Sequence, residues 1–245
     1  GAGTSTAALG FGGYLPSPYS AATEEYDGNT WTTSSASLPT ATAMMHGSGS
    51  MYAALSSGGV TSTAFTGATY EYDSNINAVT ITAAWGSGGN YPGPVYSAGS
   101  STNSPSTASV AFGGYVSGSK SSATNEYNGS SWTSANAMSD VFVSGAYGGT
   151  QTAAFGAGGY SAPPSRTNAT EEYDGTNWTA GGNLSVAASQ NVGFGTSTAG
   201  VVYGGEGSPD PAIKTSTQEY DGSSWTTVNT MPVGASGHGT GFGTQ

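Results

Sequence analysis

Apolar positions along this chain come in short runs broken by Gly, Ser and Thr. Nowhere do Leu, Ala or Met recur at the 3.6-residue spacing that buries one face of a helix. Val, Tyr, Phe and Thr carry the runs instead, so the pattern predicts an all-β chain. Five octapeptides share one layout: TAALGFGG at 6–13, YAALSSGG at 52–59, TASVAFGG at 107–114, TAAFGAGG at 152–159 and TAGVVYGG at 198–205. Each is small on both faces and ends in a diglycine. A strand crowded on both sides by neighbouring sheets needs such residues, because bulky groups would hold the sheets apart.

After each diglycine a second motif follows. Glu25, Glu71, Glu126, Glu172 and Glu219 each precede a tyrosine: Tyr26, Tyr72, Tyr127, Tyr173 and Tyr220. Asp27, Asp73, Asp174 and Asp221 come next, with Asn128 in the third copy. Trp31, Trp132, Trp178 and Trp225 lie five residues beyond their tyrosines, and the second copy has Asn77 at that place. The tyrosines are 46, 55, 46 and 47 residues apart. A period in the forties, repeated five times, marks a repeat architecture.

Within the fourth repeat the pattern predicts strands near 141–147, 152–158 and 169–173, with another beginning at Trp178. Asp174 starts a turn through its carboxylate, and Gly175 supplies positive φ there. The turn sets Tyr173 opposite Trp178 as a cross-strand aromatic pair, a staple contributing about 0.2–1 kcal/mol beyond burial. The same reading makes staples of Tyr26 with Trp31, Tyr127 with Trp132, and Tyr220 with Trp225. The expectation is a single domain over 1–245: a five-bladed β-propeller of four-stranded antiparallel blades, with repeat motifs near 12–31, 58–77, 113–132, 158–178 and 204–225. The N-terminal stretch reads as a second strand. The C-terminal ASGHGTGFGTQ reads as a first strand that closes the ring by completing that blade. The opening Gly-Ala-Gly reads as a mature chain or a segment of a longer tandem array.

The diglycine, the Tyr-Asp pair and the later Trp resemble kelch-type β-propeller repeats over the whole chain. Kelch repeats have four strands, and the family is mostly one of binding and scaffolding. The Gly/Ser/Thr-rich EYDGxxWT form is more similar to kelch-like repeats of phage virion and extracellular surface proteins than to cytoplasmic adaptors. The resemblance therefore implies a virion, cell-surface or extracellular structural role.

Composition narrows the partners. Three cations face fourteen anions, for a formal net charge of −11, and only 7% of residues are charged. Nucleic acid and anionic membrane surfaces are poor partners for such a chain. No apolar run is long enough for a transmembrane helix. Without cysteine there is neither a disulfide nor a thiolate metal site. Sequons at Asn128, Asn168, Asn177 and Asn183 are candidate glycosylation sites.

Candidate chemistry falls on loops. Connections from second to third strands vary and carry all three cations, Lys120, Arg166 and Lys214. The long interval before the third repeat holds Trp85, Asn90, Tyr91 and Tyr96, suited to stacking on a sugar or a neighbouring subunit. An alternative has Trp85 replacing the missing repeat tryptophan and packing inside. The loop face, at 14–22, 85–96, 160–169 and 206–216, is expected to be the working surface. The five motif glutamates are read as solvated or bonded to nearby backbone, not as a Ca²⁺ ring. His46 and His238 read as polar strand residues, serines are too numerous to nominate a nucleophile, and the Gly-rich strings lack the Lys of a P-loop. No catalytic residue, metal or cofactor is expected. A non-enzymatic structural protein of a virion appendage or filament, assembling with itself or with other surface proteins, leads. A glycan-binding adhesion module is the alternative, and a propeller enzyme is remote.

Overall fold

A computed structural model describes residues 1–14, 19–74, 84–162, 165–207, 212–237 and 241. Among them there are strands, turns and bends but no helix. Five sheets have four antiparallel strands each, in simple sequence order. The first comprises Ala2–Thr4, Ala7–Phe11, Thr23–Tyr26 and Trp31–Thr33. The second comprises His46–Gly49, Ala53–Ser57, Thr69–Asp73 and Ala84–Ser87. The third comprises Gly99–Ser100, Ser109–Phe112, Thr124–Tyr127 and Trp132–Ala135. The fourth runs Ala146–Thr150, Ala153–Ala157, Thr170–Tyr173 and Trp178–Ala180. The fifth runs Val192–Thr196, Ala199–Tyr203, Thr217–Tyr220 and Trp225–Thr227.

The first strands of consecutive sheets touch one another, from Ala2–Thr4 through to Val192–Thr196. Small residues permit this. A Cβ on Gly47 would lie 2.5 Å from the carbonyl oxygen of Gly1, and one on Gly193 would lie 2.7 Å from the amide nitrogen of Tyr147. Each connection between sheets then passes over the preceding diglycine. The second glycine donates to that segment, as in Gly13 N–H to Thr42 O (2.9 Å), Gly59 to Val95 (2.8 Å), Gly114 to Phe142 (2.9 Å) and Gly159 to Ala188 (2.6 Å). At Gly158 and Gly159 φ is 70° and 90°, a left-handed pair that side-chain-bearing residues resist.

The expected staple is present. Tyr26 is the register partner of Trp31, Tyr127 of Trp132, Tyr173 of Trp178 and Tyr220 of Trp225. Their rings lie 4.7–5.1 Å apart. The turn acids work as read: Asp174 Oδ1 accepts from the backbone of Thr176 (2.8 Å) and Asn177 (2.7 Å). Backbone donors likewise hold the Asp221 carboxyl down at about 2.

The staple also reaches beyond its own sheet. The indole N–H of Trp85, Trp132, Trp178 and Trp225 donates to Thr23, Thr69, Thr124 and Thr170 of the preceding sheet, at 2.8–3.1 Å. The phenol of Tyr72 donates to Glu25 of the preceding sheet at 2.6 Å, and Tyr173 to Glu126 at 2.8 Å. Tyr127 makes the same bond to Glu71, and Tyr220 to Glu172. Four of the five motif glutamates, all but Glu219, are thus acceptors for the next repeat's tyrosine, which corrects the reading of those four as solvated or bonded to local backbone. Such bonds to a charged acceptor contribute about 1.5–3 kcal/mol each.

Three further expectations change. The inner strand of the first sheet is Ala2–Thr4 itself, so the C-terminus does not supply it. Residues 238–240 and 242–245, on which the closing strand and His238 were placed, lie outside the described residues. The fourth sheet begins at Ala146 rather than near 141, because Phe142 and Val143 are buried in the approach to the strand and Ser144 turns with φ 54°. Trp85 pairs with Tyr72, so the long interval is mostly an insertion between third and fourth strands, not in the variable loop. That insertion, with Asn77, falls at 75–83, outside the described residues.

Burial and the facing carboxylate raise the phenol pKa of Tyr72, Tyr127 and Tyr220 to about 12, and that of Tyr173 likewise upward. A raised phenol pKa favours the folded state below the ordinary value near 10. That advantage is lost as pH climbs through about 12. Absorbance titration is expected to show these phenols ionising late, together with alkaline unfolding. Trp178→Ala should cost about 3 kcal/mol in denaturant melts. Trp31→Ala should cost less than about 1 kcal/mol, because Trp31 is 51% exposed.

Candidate functional site

In an antiparallel sheet of this order, connections from second to third strands leave the same end as those from the fourth strand to the next sheet. That end carries the cations. Lys120 donates to the carbonyl of Ser161 on the neighbouring loop (3.4 Å) and lies 5.7 Å from the Tyr160 ring centre. Burial lowers its pKa. Arg166 lies 5.5 Å from the centre of the same ring, donates to Ser189 (2.9 Å), and pairs with Glu206 at 2.8 Å. Lys214 continues the series through its backbone, donating to Gly205 O at 2.8 Å. Two of the three cations therefore lace one repeat's loop to the next.

The aromatics divide between the two readings: Trp85 replaces the missing repeat tryptophan, as the alternative had it, and Tyr91 departs from the expected loop platform. Trp85 is the second sheet's staple, its ring 5.3 Å from Tyr72 and 5.1 Å from Phe11. Tyr91 is buried among Val95, Ala98 and Ala111 and accepts from Asn125 at 2.7 Å. Neither is a loop platform, because each fills a junction between sheets. Asn90 is exposed. Tyr96 lies between two near-parallel rings, Phe65 at 4.4 Å and Tyr115 at 4.8 Å. Sequence reasoning missed this stack, because its members come from three separate connections.

Of the sequons, Asn128 and Asn183 are exposed. Asn128 caps its turn through Oδ1, which leaves its amide nitrogen outside that pairing. Asn177 is exposed and accepts from Asn136. Asn168 donates its amide to Leu184 O at 3.0 Å, so a glycan there requires breaking that bond.

Six large exposed hydrophobics decorate this same end: Tyr14, Met44, Phe65, Val186, Ile213 and Val233, with exposures from 43% to 77%. A cavity of about 390 Å³, lined by Tyr14 and Met44 among these, opens at the start of the inner strands. Met44, Ser97, Ser144 and Gln190 occupy equivalent rim positions, all with positive φ between 53° and 58°. Gln190 N–H donates to Ser144 O (2.6 Å) and Ser144 N–H to Ser97 O (3.4 Å), so the rim is a backbone belt. No Asp, Glu, Lys or Arg lines the cavity among the described residues. Its lining includes two buried residues with an atom that has no partner, His46 through Nε2 and Asn191 through Oδ1. Burial lowers the His46 pKa to about 4, so the ring is neutral at physiological pH.

These features define a class: an all-β protein of repeated four-stranded antiparallel sheets, propeller-like in arrangement. Compared with known proteins, the chain matches no family model and no curated protein. Among solved structures, that of YjhT is similar, with a TM-score of 0.71 at 15% identity over 93% of this chain and 82% of the YjhT chain. At that identity the likeness concerns the fold alone. No helix among the described residues is long and apolar enough to cross a membrane.

Reversing one charge tests the lacing. Arg166→Glu is expected to lower stability by about 1 kcal/mol, and Glu206→Arg in the same chain to restore part of it. Additive losses in thermal melts would mean that the pair is not coupled.

Proposed function

We propose that residues 1–245 form one kelch-like β-propeller domain with the five sheets as blades, serving as a non-enzymatic structural protein of a virion appendage or extracellular filament. The observation that carries this reading is the same Tyr-to-Glu and Trp-to-Thr coupling at four successive sheet junctions. The repeated polar chemistry of the chain is spent on cohesion between neighbours. Contact with other molecules is left to the loop end, whose six exposed hydrophobics suit protein partners. The low charge and the EYDGxxWT resemblance support the setting.

Val233→Asp and Ile213→Asp together test this. Both side chains are exposed, so the folded monomer should keep its melting temperature. Incorporation into particles or filaments, scored by electron microscopy, should fall. Unchanged incorporation would remove the loop end as the assembly surface.

A second reading, a glycan-binding module, is favoured by the cavity. A neutral pocket with an unpaired imidazole nitrogen and an unpaired amide oxygen suits the hydroxyls of an uncharged sugar. Glycan-array binding that is lost in Asn191→Leu, with melting unchanged, would select this reading over the first.

A further inference from the structure

The junction between the fifth and first sheets differs from the other four. Tyr72, Tyr127, Tyr173 and Tyr220 are each at most 2% exposed, whereas Tyr26 is half-buried. Thr23, Thr69, Thr124 and Thr170 are at most 1% exposed under their indole partners, whereas Thr217 is only half-buried. Trp31 is 51% exposed, and the other four tryptophans are half-buried. Among the described residues, the first sheet thus offers a Tyr and a Trp without the Glu and Thr that receive them elsewhere. The fifth sheet offers Glu219 and Thr217 without a following Tyr and Trp.

The chain after the fifth sheet nevertheless follows the path of every earlier connection. Gly205 N–H donates to Ala235 O at 2.7 Å, as the other diglycines do to the segment that leads into the next sheet. Met231 N–H donates to Thr215 O at 2.8 Å, matching Leu38 to Ala21, Met138 to Ser122 and Leu184 to Asn168. Gly237 N–H donates to Gln190 O at 3.2 Å, which extends the rim belt by one position. Gly241 is buried, and a Cβ there would lie 2.6 Å from Gly193 O. Gly193 itself meets Tyr147 of the sheet before in the same way. Gly241 therefore stands beside the inner strand of the fifth sheet, as Gly193 stands beside that of the fourth.

We propose that the junction between the fifth and first sheets is the seat of one further four-stranded unit of the same repeat, its inner edge lying beside Gly241. Its Tyr and Trp cover Glu219 and Thr217, and its own Glu and Thr receive Tyr26 and Trp31. The occupant follows from the four filled junctions, each of which shows what covers these groups. Each chain face is complementary to one face of such a unit; the two faces also match each other, but Gly241 already stands beside the inner strand of the fifth sheet. The proposal rests on the propeller reading.

The test extends the chain at Gln245 by a copy of residues 198–227, which carries a second, third and fourth strand. Oxidative footprinting by mass spectrometry follows each tryptophan. In the 245-residue chain, Trp31 should oxidise several-fold faster than Trp85, Trp132, Trp178 and Trp225. In the extended chain it should slow to their level, and the melting temperature should rise. A copy whose Tyr and Trp are changed to Ser should lose the thermal gain. Trp31 already protected in the monomeric 245-residue chain would mean that the ring closes on itself, and would overturn the proposal. Protection of Trp31 that grows with concentration would make a second copy the occupant and overturn it as well. Fast oxidation of all five tryptophans, as in the unfolded chain, would defeat the propeller reading along with it. Should the extended chain fail to fold, Glu219→Leu and Glu172→Leu in the 245-residue chain decide the matter. The proposal expects Glu172→Leu to lower the melting temperature and Glu219→Leu to leave it nearly unchanged, and equal losses would overturn it.

Discussion

A tyrosine hydroxyl held by the carboxylate of the preceding repeat is the interaction on which this structure depends. A buried phenol without a partner costs about 1–3 kcal/mol, and a buried carboxylate costs more. Brought together, each answers the other. Tyr72, Tyr127, Tyr173 and Tyr220 reach back to Glu25, Glu71, Glu126 and Glu172. The indole-to-threonine bond beside each phenol joins the same two sheets a second time. Neither bond forms within one repeat, so an isolated sheet would bury its aromatics badly. Stability arises between units, as in other repeat proteins.

This explains the odd composition. With 41 glycines and 7% charged residues, the chain has little of a conventional core. Glycine, alanine and serine let the inner strands approach closely, and the aromatic rings fill the wedge that opens outward. The largest fully buried side chains include the four tyrosines. The clusters around Phe112, Phe142 and Trp178, and around Phe155, Leu184 and Trp225, each span two sheets. Cations on the loops repeat the logic at the rim, where Arg166 and Lys120 tie neighbours together.

Much of the fold was legible because local chemistry and periodicity agreed. Short apolar runs, diglycines and Asp-Gly turns placed the strands of the fourth repeat within a few residues, and Tyr173 met Trp178 as the turn length demanded. The partner of Glu126 was not legible, because it lies 47 residues on and only the packing of sheets selects it. Trp85 shows the limit of reading by spacing. Thirteen residues separate it from Tyr72 where five separate the other pairs, yet the register requires an indole there. The site was less legible than the fold. Phe65, Tyr96 and Tyr115 stack from three connections, and the cavity gathers residues from the start of each inner strand. Tyr91 was misjudged because Pro and Gly around it suggested an open loop, whereas Asn125 and a buried apolar cluster hold it inside.

A double-mutant cycle on Tyr173 and Glu126 tests the central claim most directly. Tyr173→Phe removes only the hydroxyl, Glu126→Leu removes only the acceptor, and the pair belongs to two different sheets. If cohesion between sheets rests on this bond, the two losses in denaturant melts will be strongly non-additive, with a coupling above about 1 kcal/mol. Losses that add to within about 0.5 kcal/mol would contradict it and return the glutamates to the role of solvated surface groups.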